Sequence, residues 1–176
     1  TKLRKYSLNL YKELEKKTEL STGLKQNGAI TVASSKERLQ ELLRQATSAQ
    51  LFDVNVEVLD KQQIKNLYPV INDQDILGGV YMPEDGQADP VGVTNVFAKA
   101  AKMEGSKIFE KTPVIKILIK GGKITGVETE VGKIDCEYVV LAIGRWSRQI
   151  GENIGVSVSL YPNEHFYIIT EPNRDV

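Results

Sequence analysis

Few residues in this chain could do chemistry. It has a single histidine, His165, and a single cysteine, Cys136. Imidazole is the side chain that exchanges protons near neutral pH, which makes His165, in the stretch EHFY, the candidate acid–base residue. A lone histidine ahead of a strand more often serves structure than catalysis, and that reading stands beside the first. Cys136 sits in DCEYVV, the setting of an ordinary strand thiol rather than of an activated nucleophile. One Cys and one His do not make the ligand spacing of a zinc site, so no metal is expected. Asp85 and Asp89 could be read as an acid pair, but their Gly and Pro neighbours favour a turn and a helix cap. The stretch Lys120-Gly121-Gly122-Lys123 mimics a phosphate loop, yet it lacks a following Ser or Thr and a strand-to-helix context, so it reads as a hairpin.

The stretch with the most organising power is Val139 to Ser147, VVLAIGRWS. Its first five residues are a continuous apolar run, which reads as a strand buried on both faces, the kind found in parallel sheets. Gly144 breaks the run, and Arg145-Trp146-Ser147-Arg148 opens a short helix. A buried strand ending at a glycine beside a helix start is where open α/β sheets bind ligands, because the missing Cβ lets the backbone come close. Many buried strands end in Gly for structural reasons alone. Trp146 could stack on a ligand or pack against its helix.

Composition narrows the classes. The 176 residues suffice for one ordinary domain or parts of two. With 41% hydrophobic and 26% charged residues the composition is that of a soluble globular protein. Lys+Arg and Asp+Glu are both 23, and this balance argues against binding nucleic acid or an anionic membrane through bulk charge. The apolar stretches fall far short of the ~20 residues a membrane span needs. The N-terminal TKLRKYSLNLYKELEKK is a charged amphipathic pattern rather than a signal peptide. The single cysteine excludes a disulfide within the chain and suits the cytoplasm or another reducing compartment.

The elements that must position these residues follow from periodicity. Leu3, Tyr6, Leu10, Tyr11 and Leu14 predict an amphipathic helix over 3–17, with both tyrosines as packing residues. A strand is predicted at 28–33, and then a helix capped by Ser34 or Ser35, with a stripe of Leu39, Leu42, Leu43 and Ala46. Val54, Val56 and Val58 alternate as a half-buried strand. Asp60 and Gln63 make a capping box for a short helix that Pro69 ends. A strand at 78–82 is followed by the turn 83–86, and Asp89-Pro90 starts a helix that Gly105 stops. A brief strand at 107–110 and a meander of strands at 114–119, 123–130 and 133–136 lead to the run at Val139. Strands at 156–160 and 166–170 complete the reading. The order helix, meander, buried strand describes a βαβ-like unit with a hairpin excursion, an α/β (α+β) protein.

With these elements in place, three stretches together resemble the flavin-dependent D-amino-acid-oxidase-like family, and most closely its dimethylglycine and sarcosine dehydrogenase branch. They are Gly78 to Pro90 (GGVYMPEDGQADP), Val139 to Ser147 (VVLAIGRWS) and Pro162 to Glu171 (PNEHFYIITE). The resemblance covers nearly the whole chain. It implies part of a Rossmann-like FAD domain with a β-meander, plus part of a mixed-sheet substrate domain. Residues 1–87 would belong to the substrate domain, 88–152 to the FAD domain, and 153–176 to the substrate domain again. It also implies an internal fragment, since the family's G-x-G-x-x-G turn, its flavin-linking histidine and its closing strands have no counterpart in this sequence.

The resemblance implies roles for particular residues. Val114, in TPVIKI, matches the position whose backbone meets the adenine of FAD. Ala142 and Gly144 match the small residues beside which the dinucleotide lies, and Trp146 matches the tryptophan of the same turn. His165 matches a histidine near flavin and substrate, whereas Tyr81 lies in a matching strand without an assigned role. Two residues depart from the pattern. Arg145 stands where a small residue is usual, pointing to a FAD phosphate or to solvent, and Ile143 is bulkier than the usual alanine. Arg148 and Arg174 are candidates for a substrate carboxylate by charge type alone.

The implied activity is oxidation of a secondary or tertiary N-methyl amino acid. Hydride would pass from a carbon next to nitrogen to FAD, and the iminium product would then be hydrolysed or captured. The implied partner is this small-molecule amine, with no nucleic acid and no membrane. The implied location is the cytoplasm of a bacterium or the mitochondrial matrix. Two alternatives stay open: a non-catalytic domain unable to hold FAD alone, and a flavoprotein dehydrogenase of a hydroxy acid or glycerol phosphate.

Overall fold

The computed structural model describes residues 2–169 and 171. They form two compact units, one running to Ile108 and one from Phe109 to Glu171. Compactness thus groups the helix after Asp89 with the first unit, whereas the family pattern would draw its boundary at residue 87.

The first unit is a three-stranded antiparallel sheet with helices on both faces. Its strands are β1 (Ala29–Ala33), β2 (Glu57–Leu59) and β3 (Gly78–Met82), in the order β1-β3-β2. Ile30 pairs with Tyr81, Val32 with Gly79, and Val58 with Val80. Period-2 alternation divides the side chains between two cores. On one face Ala33 and Val80 pack with Leu42 and Ala46 of α2 (Lys36–Gln50), with Leu39 and Val56 against them. On the other, Ile30, Val32 and Tyr81 pack around Leu59, Ile76 and the fully buried Ile64 of α3 (Lys61–Leu67). Gly79 is the contact point of the second core. A Cβ there would stand 2.5 Å from the Thr31 carbonyl oxygen and 3.2 Å from Ile64 Cδ1, so only a hydrogen fits between strand and helix.

The helix starts are where local chemistry placed them. Ser35 caps α2 by accepting from the Arg38 N–H at 3.1 Å. Asp60 and Gln63 close a full capping box on α3: the Gln63 N–H donates to Asp60 Oδ1 at 2.8 Å, and the Asp60 N–H donates to Gln63 Oε1 at 2.9 Å. Asp60→Ala is expected to lower stability by about 1 kcal/mol, the usual value of an N-cap. Urea unfolding followed by far-UV circular dichroism would measure it.

The amphipathic helix α1 (Lys2–Thr18) packs on α4 (Pro90–Met103), with the Tyr11 ring edge-on to Phe97 at 5.9 Å between centroids. Leu3 and Tyr6 are exposed, so the packing stripe starts one turn later than periodicity suggested, at Ser7 and Leu8. The two helices are also tied at their ends. The Glu15 carboxylate accepts both the N–H and the Oγ–H of the buried Thr22 at 2.6 Å. The Thr22 carbonyl accepts the Asp89 N–H at 2.9 Å, and Asp89 caps α4 by accepting the Gly92 N–H at 2.7 Å. Asp85 and Asp89 are therefore a turn residue and a cap, not an acid pair.

The second unit opens with an antiparallel meander of β4 (Val114–Lys120), β5 (Lys123–Thr129) and β6 (Gly132–Asp135). Gly121 and Gly122, with φ of 58° and 74°, form the tight turn between β4 and β5, the backbone that two-residue hairpins with right-handed twist require. Lys120-Gly121-Gly122-Lys123 is thus a hairpin. A single 3-10 turn at Gly144–Trp146 leads into α5 (Ser147–Glu152).

Several sequence expectations are corrected here. The run Val139 to Ile143 is not a buried strand: it has no ladder partner among the described residues, Ala142 and Ile143 are exposed, and Val140 is 85% exposed. An apolar run becomes a buried strand only where neighbouring strands satisfy its backbone, and no described strand lies beside it. The same holds for 107–110, for 156–160, and for 166–169, where Phe166 is 91% exposed; Thr170 lies outside the described residues. The alternation at Val54, Val56 and Val58 covers a strand only at 57–59, and it is Leu59 that turns inward while Val58 is exposed.

Candidate functional site

The residues singled out for a cofactor all lie in the second unit. Val114 is the first residue of β4, an edge strand of its sheet, and is partly exposed. Its pairing to Thr129 is followed by a register break before Lys116. An edge strand leaves one row of backbone groups unpaired, which a ligand can meet.

The turn at 143–147 is built locally. The Trp146 N–H donates to the Ile143 carbonyl at 3.4 Å, and the Ser147 N–H donates to the Gly144 carbonyl. Gly144 has φ of 56°, the left-handed region that L side chains avoid, and a Cβ there would meet no atom within 4 Å. The backbone at Gly144 is therefore bent in a way that glycine permits, with open space above it. Ala142 just before it is exposed, and Trp146 is 56% exposed rather than packed under α5. The Arg145 guanidinium lies 4.4 Å from the centroid of the Trp146 ring. Ser147 and Gly151 are buried, and the segment that follows α5 packs on Gly151, whose carbonyl accepts the Val156 N–H at 2.9 Å. That anchors the turn from below and leaves Gly144, Arg145 and Trp146 on the outside.

The other candidates are dispersed. His165 stands exposed on the extended segment 160–169, without a hydrogen-bond partner among the described residues. Arg148 donates from Nε to Glu152 Oε1 at 2.8 Å, an i,i+4 pair on α5 that already uses its charge. Arg174 lies outside the described residues. Tyr81 belongs to the core of the first unit, where it packs beside Leu59, Ile64 and Ile76 and lies over Gly28. Cys136 is half-buried just past β6. The structure thus brings Gly144, Arg145 and Trp146 into one turn. Nothing in it gathers His165 with them.

One feature of the first unit was not legible in the sequence. An open cleft of about 850 Å3 lies over one sheet face, lined among others by Tyr11, Thr31, Leu42, Val80, Met82 and Gln87. Its walls come from α1, α2, two strands and three loops, so no single motif could announce it. The one local sign was Thr31, a hydroxyl in an otherwise apolar strand.

Comparison with known proteins gives these features a context. The family model described as FAD dependent oxidoreductase matches residues 1–176. The pyruvate dehydrogenase phosphatase regulatory subunit of Mus musculus, a mitochondrial protein, is 35% identical over 173 residues, covering 97% of this chain and 20% of that protein. The mitochondrial sarcosine dehydrogenase of Homo sapiens is 36% identical over 165 residues, covering 91% of this chain and 18% of that protein. Among solved structures, L-proline dehydrogenase from P. horikoshii superimposes with a TM-score of 0.78 at 29% identity, covering 86% of this chain and 40% of that one. The chain thus spans about a fifth of the length of these two relatives. With a family match over its full length, and sarcosine and dimethylglycine dehydrogenases among its homologues, the chain belongs to the FAD-dependent oxidoreductase family of D-amino-acid-oxidase type.

Proposed function

We propose that the protein carrying this chain oxidises a small N-methylated amino acid with FAD as acceptor. The observation that carries this reading is the 36% identity to a sarcosine dehydrogenase over 165 residues. The open backbone of the Gly144 turn fits a flavin dinucleotide. Gly144 presents bent backbone with nothing over its missing Cβ, Ala142 and Trp146 are exposed in the same turn, and Val114 is exposed on an edge strand. In this reading Val114, Ala142, Gly144 and Trp146 hold the dinucleotide. When bound, the flavin supplies the acceptor for a hydride from the carbon next to the amine nitrogen.

The protein's own part is to bind, orient and handle the proton. His165 is the one side chain in the sequence suited to exchange a proton near neutral pH, and it is exposed and uncommitted to any hydrogen bond among the described residues. The substrate is a small-molecule amine, with no role for nucleic acid. Among the described residues no helix is long and apolar enough to cross a membrane. Relatives from mitochondria and bacteria support the mitochondrial matrix or a bacterial cytoplasm as the location.

A second reading has its own support. A relative named as a phosphatase regulatory subunit is as similar to this chain as the dehydrogenase is, so the same fold could serve regulation rather than turnover. The visible spectrum of the intact protein, before and after acid precipitation, separates the two when followed by anaerobic addition of sarcosine or dimethylglycine. We expect a flavin band that bleaches with one of these amines. A flavin band that neither amine bleaches favours the regulatory reading, and no flavin in pellet or supernatant after FAD is supplied removes the FAD reading. A band retained in the pellet marks covalent attachment.

A further inference from the structure

We propose that Arg145 contacts the phosphates of the dinucleotide, held for that purpose by Trp146; this rests on the FAD reading above. Three features of the turn support this contact. The guanidinium lies 4.4 Å from the Trp146 ring centroid, so the indole face restrains a side chain that would otherwise sample many rotamers. No carboxylate pairs with it among the described residues, whereas Arg44 and Arg148 are each paired to a glutamate on their own helix. Its neighbour Gly144 offers open space directly at the backbone, so an anion approaching that turn meets no side chain from Gly144 and finds the cation next to it. Both Arg145 and Trp146 are exposed.

The chemistry narrows the ligand. A guanidinium presents a planar fork of donors that matches two oxygens of a phosphate, and stacking on an aromatic ring leaves the edge that carries those donors free. A flavin dinucleotide has two linked phosphates.

The test is FAD binding by the intact protein prepared free of flavin, followed by quenching of flavin fluorescence at two salt concentrations. Arg145→Ala is expected to raise the Kd for FAD about tenfold, the usual effect of losing a hydrogen bond to a charged group, and to flatten the salt dependence of binding. Arg145→Lys should retain part of the affinity and most of the salt dependence, because it keeps the charge and loses the fork. Unchanged affinity in Arg145→Ala overturns the proposal while leaving the FAD reading intact. So does a loss that leaves the salt dependence unaltered, since that would locate the effect away from the phosphates. Wild-type protein that binds no FAD overturns both.

Discussion

Ile64→Ala is expected to destabilise the first unit by about 3 kcal/mol, and Ile64→Val by about 1 kcal/mol. Ile64 is fully buried on α3, packed with Leu59 and Ile76 beneath β3. The loss has two parts: the transfer free energy of the removed carbons, and the cavity they leave. Collapse into that cavity is hindered. The strand above is held at Gly79, where the backbone already lies so close that no Cβ fits, and the capping box fixes the start of α3. The same geometry makes Gly79→Ala destabilising, since its Cβ would strike the Thr31 carbonyl oxygen, which belongs to a paired strand. Urea unfolding followed by far-UV circular dichroism checks both variants. A midpoint for Ile64→Ala equal to that of wild type would mean that α3 is not packed on the sheet as described.

The second large effect concerns the tie between α1 and α4. Glu15→Ala removes the acceptor for both polar hydrogens of the fully buried Thr22. A cost of about 2 kcal/mol is expected, the range for hydrogen bonds to a charged group. The pH dependence identifies the cause. Hydrogen bonding from the Thr22 hydroxyl, and then from its backbone N–H, holds the Glu15 carboxyl below its ordinary value of 4.5, with burial opposing. A group whose pKa is lower folded than unfolded stabilises the fold fully above the unfolded value, and that contribution disappears as pH falls through the folded one. The stability gap between wild type and Glu15→Ala should therefore be constant near neutrality and narrow below about pH 4.5. Other carboxylates also lie low, among them Glu104 beside Lys17 and Glu41 beside Arg44. Because the variant retains them, the difference between the two titrations reports Glu15. A gap that persists at acid pH would show that the carboxylate does not hold Thr22.

The turn at Gly144 is anchored by Ser147 and Gly151, both buried, so Arg145 and Trp146 can be replaced without entering a core. That separates a binding defect from a folding defect, which a buried site residue would not allow.

What the sequence by itself determined about this protein was whatever depends on neighbours along the chain. Ser35, Asp60 and Asp89 cap their helices because a short polar side chain three residues before a free N–H can reach it whatever the rest of the chain does. The Gly121-Gly122 turn sets the β4–β5 hairpin for a similar reason: two residues at positive φ return the strand on itself. Family membership was legible in the same way, from three short stretches in a fixed order. The tertiary structure decided what depends on distant partners. Val139 to Ile143 has the composition of a buried strand but no strand beside it among the described residues, and 166–169 has the pattern of a strand but is exposed there. Alternation placed Val54 and Val56 correctly as half-buried, with Val56 on the first core, but it missed that Val58 is exposed and that Leu59 meets Ile64 on the opposite face. The cleft over the first sheet is assembled from segments far apart in sequence. A cap or a tight turn is satisfied within a few residues; a strand, a core face or a cleft is satisfied only when separate parts of the chain arrive at the same place.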